Sequence, residues 1–231
     1  MIKLPKQNLS VDQSAIVFEN RIHAGDLLAP LLADLLARKP ELSHAVVVGV
    51  PRGGVAVAAQ VAHHLDLPLD IMVTGKILAP GRKDIVIGAV TERGRVFINR
   101  PLVTALGLDE TAIQAEVEAV KKSIKSTTED YRSIIPHSKL TDKTVIIIDD
   151  NVVTGATMFA TLRGLWAERP TSIVLAIPVA PASTLAALAD FADEVIALQA
   201  PESLDCGIEA FYSNMQDISK EHVLEILQKN H

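Results

Sequence analysis

Several kinds of protein are excluded by what this chain of 231 residues lacks. It has a single cysteine, Cys206, so no intramolecular disulfide can form, which is usual for a reducing compartment. No apolar run reaches the roughly 18 residues that a membrane-spanning helix needs. The first ten residues lack the apolar core of a secretory signal peptide. We therefore expect a cytoplasmic protein without a membrane partner.

Positive charge is also scarce. Lysine and arginine number 22 against 28 aspartates and glutamates, which gives a net charge of −6. Nucleic-acid-binding proteins usually carry a basic stripe, and this sequence has none, so we expect no nucleic-acid partner. The motif G-x-x-x-x-G-K-[ST] is missing too, which disfavours a nucleotide triphosphatase.

The residues that are present indicate a folded α/β protein. Hydrophobic residues make up 48% of the chain and charged residues 22%, a balance typical of globular domains. Apolar runs alternate with helical periodicity, which predicts an open, mostly parallel twisted sheet with helices on both faces. The predicted strands are residues 45–50, 69–74, 85–90, 95–99, 144–149, 172–178 and 194–199. The predicted helices are residues 23–38, 54–65, 109–131, 182–192 and 220–229, with another between the fifth strand and about residue 168. Asp109 and Ser219 are predicted N-caps.

The most informative segment is Val145–Met158, with the sequence VIIIDDNVVTGATM. Its apolar start predicts a strand buried on both faces. Glycine and two threonines follow where a helix should begin, and backbone N–H groups at a helix N-terminus bind anions. Asp149 and Asp150 would repel such an anion, so they suit hydroxyl groups or a metal ion. The segment therefore predicts a sugar-phosphate site; the alternative is a buried strand that ends in a solvated acidic turn.

A glycine-rich loop follows another predicted strand. Pro51, Arg52, Gly53 and Gly54 come directly after residues 45–50, at a strand end where open α/β sheets bind ligands. Paired glycines permit a tight turn and expose backbone N–H groups, and the Arg52 guanidinium adds a planar positive fork. This combination suits a pyrophosphate group, although a Gly-Gly pair is more often only a turn.

Both segments carry a family resemblance. The strand, the acidic pair and the Thr-Gly-Ala-Thr loop resemble the motif with which type I phosphoribosyltransferases bind 5-phosphoribosyl-1-pyrophosphate (PRPP). The Pro-Arg-Gly-Gly loop resembles their pyrophosphate loop. A loosely defined bacterial group within the family also shares the K-x-x-A-P-G segment and the IGAV strand. The resemblance covers about residues 18–215 and implies the type I phosphoribosyltransferase fold with a small hood and a flexible loop.

The resemblance implies a reaction and a role for each site residue. The Asp149 and Asp150 carboxylates would hold the ribose hydroxyl groups and contribute indirectly, through PRPP or water, to binding Mg²⁺ at the pyrophosphate. Arg52, Lys76 and the backbone of the Pro-Arg-Gly-Gly loop would hold the departing pyrophosphate while a nitrogen acceptor attacks the anomeric carbon. The residues implied to bind the 5-phosphate are Thr154, Gly155, Ala156 and Thr157, and Val153 is counted with them among the residues that line the PRPP site.

Lys76 precedes a Pro-Gly-Arg-Lys segment at residues 80–83 that is open to two interpretations. It is either a mobile basic loop or a solvated turn. The resemblance implies that residues 75–100, which include a hairpin, close over the site and exclude water from a reactive sugar cation.

The acceptor is less well defined than the donor. Val153 stands where the enzymes that use 6-oxopurines have a third carboxylate, so hypoxanthine and guanine are disfavoured. Residues 1–20 and 200–218 are candidates for the hood that holds a base. Phe211 and Tyr212 have rings suited to stacking on a flat base, but core packing is the favoured interpretation for both.

We expect a single domain over residues 1–231, with a core at 18–199 and a C-terminal hood and helix at 200–231. The resemblance implies a Mg²⁺-dependent glycosyltransferase that moves a pentosyl group from PRPP to a nucleobase-like acceptor, and it implies a homodimer. The alternative is a PRPP-binding regulator without turnover. The acidic charge and the lack of a spare N-terminal domain count against that alternative.

Overall fold

A computed structural model of the protein describes residues 9–11 and 16–230. Nine strands lie within these residues: β1 (Leu9–Val11), β2 (Ala45–Gly49), β3 (Leu69–Ile71), β4 (Thr74–Ala79), β5 (Arg82–Thr91), β6 (Val96–Ile98), β7 (Thr144–Ile148), β8 (Ser172–Val179) and β9 (Glu194–Gln199). The seven α-helices of the same residues are α1 (Arg21–Arg38), α2 (Gly53–Leu65), α3 (Arg100–Ala105), α4 (Glu110–Ile134), α5 (Ala156–Trp166), α6 (Ala182–Leu188) and α7 (Lys220–Lys229).

Six of the strands form one parallel sheet in the order β1-β9-β8-β7-β2-β3. Every residue of β2 and β7 is buried, as expected for central strands covered on both faces. Alternate side chains enter different cores: Val47 packs with α1 and α2 on one face, and Val48 packs with α5 and α6 on the other. The predicted parallel α/β sheet with helices on both faces is confirmed.

The other three strands, β4, β5 and β6, form a separate antiparallel sheet. β5 and β6 confirm the predicted hairpin of residues 85–90 and 95–99. The prediction of one strand over residues 69–74 is wrong, because β3 ends at Ile71 and the chain then crosses into β4. Ile77 of β4 belongs to a separate apolar core with α4, which draws the chain away from the parallel sheet.

Of the two interpretations of the segment after Lys76, a mobile loop or a solvated turn, the structure shows a turn. Ala79 pairs with Arg82 across a turn made by Pro80 and Gly81, so these residues complete a β-hairpin. Gly81 has a φ of +74°, and proline followed by a glycine of positive φ is the signature of a type II turn. The mobility of residues 75–100 stays a prediction.

Two predicted helix starts are confirmed by their caps. Asp109 accepts a hydrogen bond from the backbone N–H of Ala112 at 3.0 Å and begins α4, and Ser219 does the same for α7. The predicted helix over residues 182–192 is shorter than expected. It ends at Leu188 because the chain turns there and brings the following residues into the same core before β9. Helix α3 was not predicted.

A buried group of charged side chains joins the two sheets. Asp70 on β3 is fully buried and pairs with Arg132 at 2.6 Å and with Arg93 at 3.0 Å. Arg132 also donates to Glu92 at 2.9 Å and to the backbone carbonyl of Ile71 at 2.8 Å. Two positive and two negative charges therefore balance, as buried ions require, and within the described residues the buried Nε of Arg93 is left without a hydrogen-bond partner.

Helix α7 covers the outer side of α2 and α4. Val223 and Leu227 are fully buried against Val55, Ile71 and Tyr131. The C-terminal helix is thus packed on the same unit as the central strands. Within the described residues, none of the helices combines the length and the apolar character of a membrane span.

Candidate functional site

The two segments singled out in the sequence lie side by side in the fold. β2 and β7 are neighbouring parallel strands, paired in register up to their carboxyl ends. The loop Pro51–Gly54 therefore leaves one strand next to the point where Asp149 and Asp150 leave the other. The peptide bond between Pro51 and Arg52 is cis.

The two glycines of this loop are required by close packing against the acidic pair. A β-carbon on Gly53 would lie 2.0 Å from Oδ2 of Asp150. A β-carbon on Gly54 would lie 2.7 Å from the Cα atom of Asp149. Both distances are well below van der Waals contact, so a larger residue would displace the acidic turn. The start of α2 therefore packs directly against the acidic pair.

Asp149 faces a cavity of about 320 Å³ at the carboxyl end of β7. Burial raises the pKa of the Asp149 carboxyl well above its ordinary value, and the adjacent negative charge of Asp150 raises it further. A carboxyl group with a raised pKa can exchange hydrogen bonds with hydroxyl groups. The cavity is lined by Val50, Pro51, Asp149, Asn151, Val152, Val153, Thr154, Gly155, Ala156, Thr157 and Met158.

Asp150 has different surroundings and does not line that cavity. It is 7% exposed, and its Oδ2 accepts a hydrogen bond from Nε of Arg21 at 2.7 Å. Its Oδ1 accepts from the side-chain amide of Asn151 at 3.0 Å, and its backbone carbonyl accepts from the Tyr212 hydroxyl at 2.7 Å. The acidic pair therefore consists of one carboxyl open to the cavity and one that is ion-paired.

The loop after the acidic pair presents the N-terminus of α5 to the cavity. Gly155 has a φ of +76°, a left-handed conformation that glycine adopts without strain. Thr184 of α6 donates to the backbone carbonyl of Val153 at 3.0 Å and anchors the loop. The backbone N–H groups in the first turn of a helix have no partner within it. Together with the hydroxyls of Thr154 and Thr157, they form a site suited to an anion.

The two predicted cations occupy different places. Arg52 is exposed at the start of α2, beside the acidic pair, and its side chain is in no ion pair within the described residues. Lys76 is exposed on β4 in the antiparallel sheet. In residues 9–11 and 16–230, no hydrogen bond or ion pair connects Lys76 with the acidic pair. The fold brings Arg52 to the strand ends and leaves Lys76 on the neighbouring sheet.

A second cavity, of about 390 Å³, lies between the start of α1 and the chain before α7. The two rings that the sequence offered for stacking lie elsewhere: Tyr212 is 3% exposed and its ring centroid is 5.0 Å from that of Phe18. Phe211 packs against the same core. The residues that line the 390 Å³ cavity are mostly polar: Asn20, Arg21, Ile22, Ala56, Asn214, Gln216, Asp217, Ile218, Ser219 and His222.

Sequence reasoning missed Arg21 altogether, and it named Tyr212 for stacking or, as the favoured interpretation, for core packing, but not as a partner of Asp150. Arg21 lies 129 positions before it and Tyr212 lies 62 positions after it, and no spacing rule joins positions so far apart. The one local signal is Asn20, which caps α1 by accepting from the N–H of His23 at 3.0 Å. A recognised cap would have placed Arg21 in the first turn of a helix, but not beside the acidic pair.

Known proteins resemble the chain over most of its length. Residues 20–203 match the family model described as the phosphoribosyl transferase domain. Two proteins from strains of Mycobacterium tuberculosis, named "Putative phosphoribosyl transferase MT0597" and "Putative phosphoribosyl transferase Rv0571c", are 33% identical over 215 residues, or 93% of this chain. The chain spans about half the length of these curated relatives, 47%.

A solved structure is similar in fold as well as in sequence. The crystal structure of the protein TT1426 from Thermus thermophilus has a TM-score of 0.84 and 33% sequence identity, with 93% of this chain and 99% of that chain covered. The matched region of the family model contains both strand-end segments of the site. The chain therefore belongs to the phosphoribosyl transferase domain family.

Proposed function

We propose that this protein is a Mg²⁺-dependent phosphoribosyltransferase that transfers the 5-phosphoribosyl group of PRPP to a nitrogen acceptor and releases pyrophosphate. One observation carries the proposal: the Asp149 carboxyl and the first turn of α5 line the same 320 Å³ cavity. A hydroxyl-binding carboxyl next to an anion site is the chemistry that a sugar phosphate needs.

Each part of PRPP has a proposed partner. The loop Thr154–Thr157 binds the 5-phosphate through backbone N–H groups and hydroxyls. Asp149 and Asp150 accept hydrogen bonds from the ribose hydroxyls. Arg52 and the N–H groups at the start of α2 bind the pyrophosphate, and Lys76 joins them when residues 75–100 close over the site. For all of these residues except Lys76, the assignment follows from charge and from position at the strand ends; for Lys76 it follows from charge and from the family resemblance.

The donor groups present fit a magnesium ion that is shared with the ligand. Among the described residues no group of three or more histidine, cysteine, aspartate or glutamate side chains forms a complete metal site. Mg²⁺ typically takes one or two carboxylates together with phosphate oxygens and water. Asp149 is the residue placed to contribute, and a Mg²⁺ ion held there together with pyrophosphate would supply positive charge to the leaving group.

The proposed reaction breaks the bond between the anomeric carbon and the pyrophosphate oxygen and forms a bond from that carbon to nitrogen. The chain has no nucleophile to supply, since the acceptor attacks directly. Its contribution is to hold the ribose and the leaving group in place and to stabilise the negative charge that develops on pyrophosphate. Arg52, which has no ion-pair partner within the described residues, provides its charge for that purpose.

The acceptor is proposed to enter the 390 Å³ cavity beside Arg21. Amide, carboxyl and imidazole groups from Asn20, Gln216, Asp217 and His222 line it. Such groups recognise a nucleobase or a related nitrogen compound by hydrogen bonds to its edges. The described residues of the lining provide no phenylalanine, tyrosine or tryptophan ring for stacking.

Titration calorimetry with PRPP, with and without Mg²⁺, tests the proposal. We expect the wild-type protein to bind and Asp149→Asn to bind about tenfold more weakly, because an amide donor replaces one of the two carboxyl oxygens that face the ribose hydroxyls. Asp34→Asn is the matched control, since Asp34 lies on the exposed side of α1 in an ion pair with Arg38. A wild-type protein that does not bind PRPP would rule the proposal out.

Turnover separates the enzyme from a regulator that only senses PRPP. Pyrophosphate release is measured with PRPP and a panel of nucleobases and related amines. Release with any acceptor establishes the transferase. Tight binding without release across the panel favours the sensor. Light scattering in the same buffer tests the homodimer that the family resemblance implies.

A further inference from the structure

The start of α1 and the segment before α7 meet directly on the acidic turn. Three backbone hydrogen bonds join them: Phe18 donates to Phe211 at 2.8 Å, Ser213 donates to Phe18 at 2.8 Å, and Asn214 donates to Glu19 at 3.0 Å. The two segments therefore form one paired structure. Two side chains of this paired structure, those of Arg21 and Tyr212, hydrogen-bond to the acidic turn.

Arg21 connects three parts of the molecule. Its side chain is 12% exposed, and its Nε donates to Oδ2 of Asp150 at 2.7 Å. Its Nη1 donates to the backbone carbonyl of Gln216 at 2.7 Å. Arg21 also lines the 390 Å³ cavity. A guanidinium held at two points presents a fixed geometry to its carboxylate partner.

Tyr212 holds the backbone of the same residue. Its hydroxyl donates to the Asp150 carbonyl at 2.7 Å, and its ring packs on Phe18, which is fully buried. Burial raises the pKa of the Tyr212 phenol, so the hydroxyl stays a neutral donor. Asp150 is thus held at its side chain by Arg21 and Asn151 and at its main chain by Tyr212.

The position of the Asp150 carboxylate is not determined by its own loop alone, although Asn151 of that loop donates to its Oδ1. Asp149 is the adjacent residue, and two like charges in sequence repel each other. Gly53 leaves open the space that the Asp150 carboxylate enters, and the Arg21 Nε bond holds the carboxylate there. A carboxylate has about four acceptor sites, so the bonds from Arg21 and Asn151 leave capacity for a ligand.

We propose that Arg21 is a positioning residue that orients the Asp150 carboxylate toward a ribose hydroxyl of the donor, with Tyr212 fixing the Asp150 backbone. The inference rests on the proposed function, because it assumes that the acidic pair binds the sugar. Arg21 touches Asp150 and not the reacting atoms. Its effect should therefore appear in recognition of the ribose hydroxyls and not in binding of the phosphate.

Calorimetry with two sugar phosphates isolates that effect. Ribose 5-phosphate and 2-deoxyribose 5-phosphate differ only in the 2-hydroxyl, so the ratio of their dissociation constants measures hydroxyl recognition. We expect a ratio of about tenfold for the wild-type protein, because the hydroxyl bonds a charged group. The ratio should fall close to one in Arg21→Met, recover in part in Arg21→Lys, and decrease moderately in Tyr212→Phe.

The controls separate positioning from a general loss of structure. A site that is merely loosened would bind both sugars more weakly and keep the ratio unchanged, which would overturn the inference. Arg38→Met on the same helix removes only an exposed ion pair and should keep the wild-type ratio. Wild-type protein that binds PRPP but does not discriminate between the sugars overturns the inference alone. Wild-type protein that binds neither PRPP nor the sugars overturns the proposed function as well.

Discussion

The two adjacent carboxyl groups after β7 are held in different electrostatic states. Asp149 is half-buried at the cavity with no ion-pair partner in the described residues, and its loss of solvation there raises the pKa of its carboxyl. Asp150 is neutralised by Arg21 at 2.7 Å. The difference arises because neighbouring residues that follow a strand point to opposite sides, one toward the cavity and one toward α1 and α2. An identical pair in the sequence therefore provides two distinct chemical groups.

Replacement of Asp149 by asparagine should change how stability depends on pH. The folded pKa of Asp149 is raised above the unfolded value of about 3.9. Such a group stabilises the fold fully below the unfolded pKa, and that stability is lost as pH rises through the folded pKa. Urea unfolding from about pH 4 to about pH 8 should show the wild-type protein losing stability relative to Asp149→Asn as pH rises. A difference that does not vary with pH would contradict the raised pKa.

The Gly53 position offers a sharper steric test. Gly53→Ala places a methyl group where the Asp150 carboxylate lies, so we expect a loss of about 1–3 kcal/mol in unfolding free energy and a loss of PRPP binding. Gly107→Ala is the control: Gly107 has a φ of +62° but open space around it, so the change costs about 1–2 kcal/mol in backbone strain and should keep PRPP binding. Equal losses of PRPP affinity would show that the clash is not the cause.

Among the secondary-structure elements, those with a strong local pattern were predictable. β2 and β7 were recognisable because every residue in them is apolar or β-branched, the pattern of a strand that is buried on both faces. The break between β3 and β4 was not, because Met72 and Val73 continue the apolar run without a turn residue. The change of sheet depends on α4, whose side chains form the core beneath β4. The packing of α4, which is distant in sequence, therefore decides where the chain leaves the parallel sheet.

The buried ion cluster that joins the two sheets gives a prediction at this level. Arg132→Met leaves the Asp70 and Glu92 carboxylates without their main partner, so we expect a loss of about 3–5 kcal/mol in unfolding free energy. Arg38→Met removes an exposed pair with Asp34 and should cost less than about 1 kcal/mol. Urea denaturation of both variants measures the contrast. A cost for Arg132→Met as small as that of Arg38→Met would mean that the cluster is not stabilising.

Within the described residues, the C-terminal part of the chain packs on elements from its N-terminal half. α7 packs on β3, α2 and α4, and the segment before it pairs with the residues before α1. These contacts connect the C-terminal helix with Val55 of α2, the helix that follows the Pro51–Gly54 loop. The predicted single domain would then unfold in one cooperative transition.

A substitution in α7 tests that expectation at a distance. Leu227→Ala opens a cavity in a fully buried position and should cost about 2–5 kcal/mol. Trp166, the single tryptophan, lies at the end of α5 on the other face of the sheet. We expect its fluorescence and the far-UV circular dichroism to report the same shift in the urea midpoint. Gln228→Ala, which changes an exposed neighbour, should leave both unchanged, and a shift seen by dichroism alone would indicate a separate C-terminal unit.

The sequence by itself determined the local features of this protein: the buried strands, the capped helices, the two loops at strand ends and the acidic pair between them. These features depend on residues within a few positions of one another, so hydrophobic period and capping chemistry are enough to predict them. The tertiary structure decided which polar groups meet. Arg21 and Tyr212 reach Asp150 from 129 and 62 positions away, and Gly53 is required by a carboxylate on another strand. Contacts of that kind depend on how the sheet and its helices pack, which no local pattern specifies.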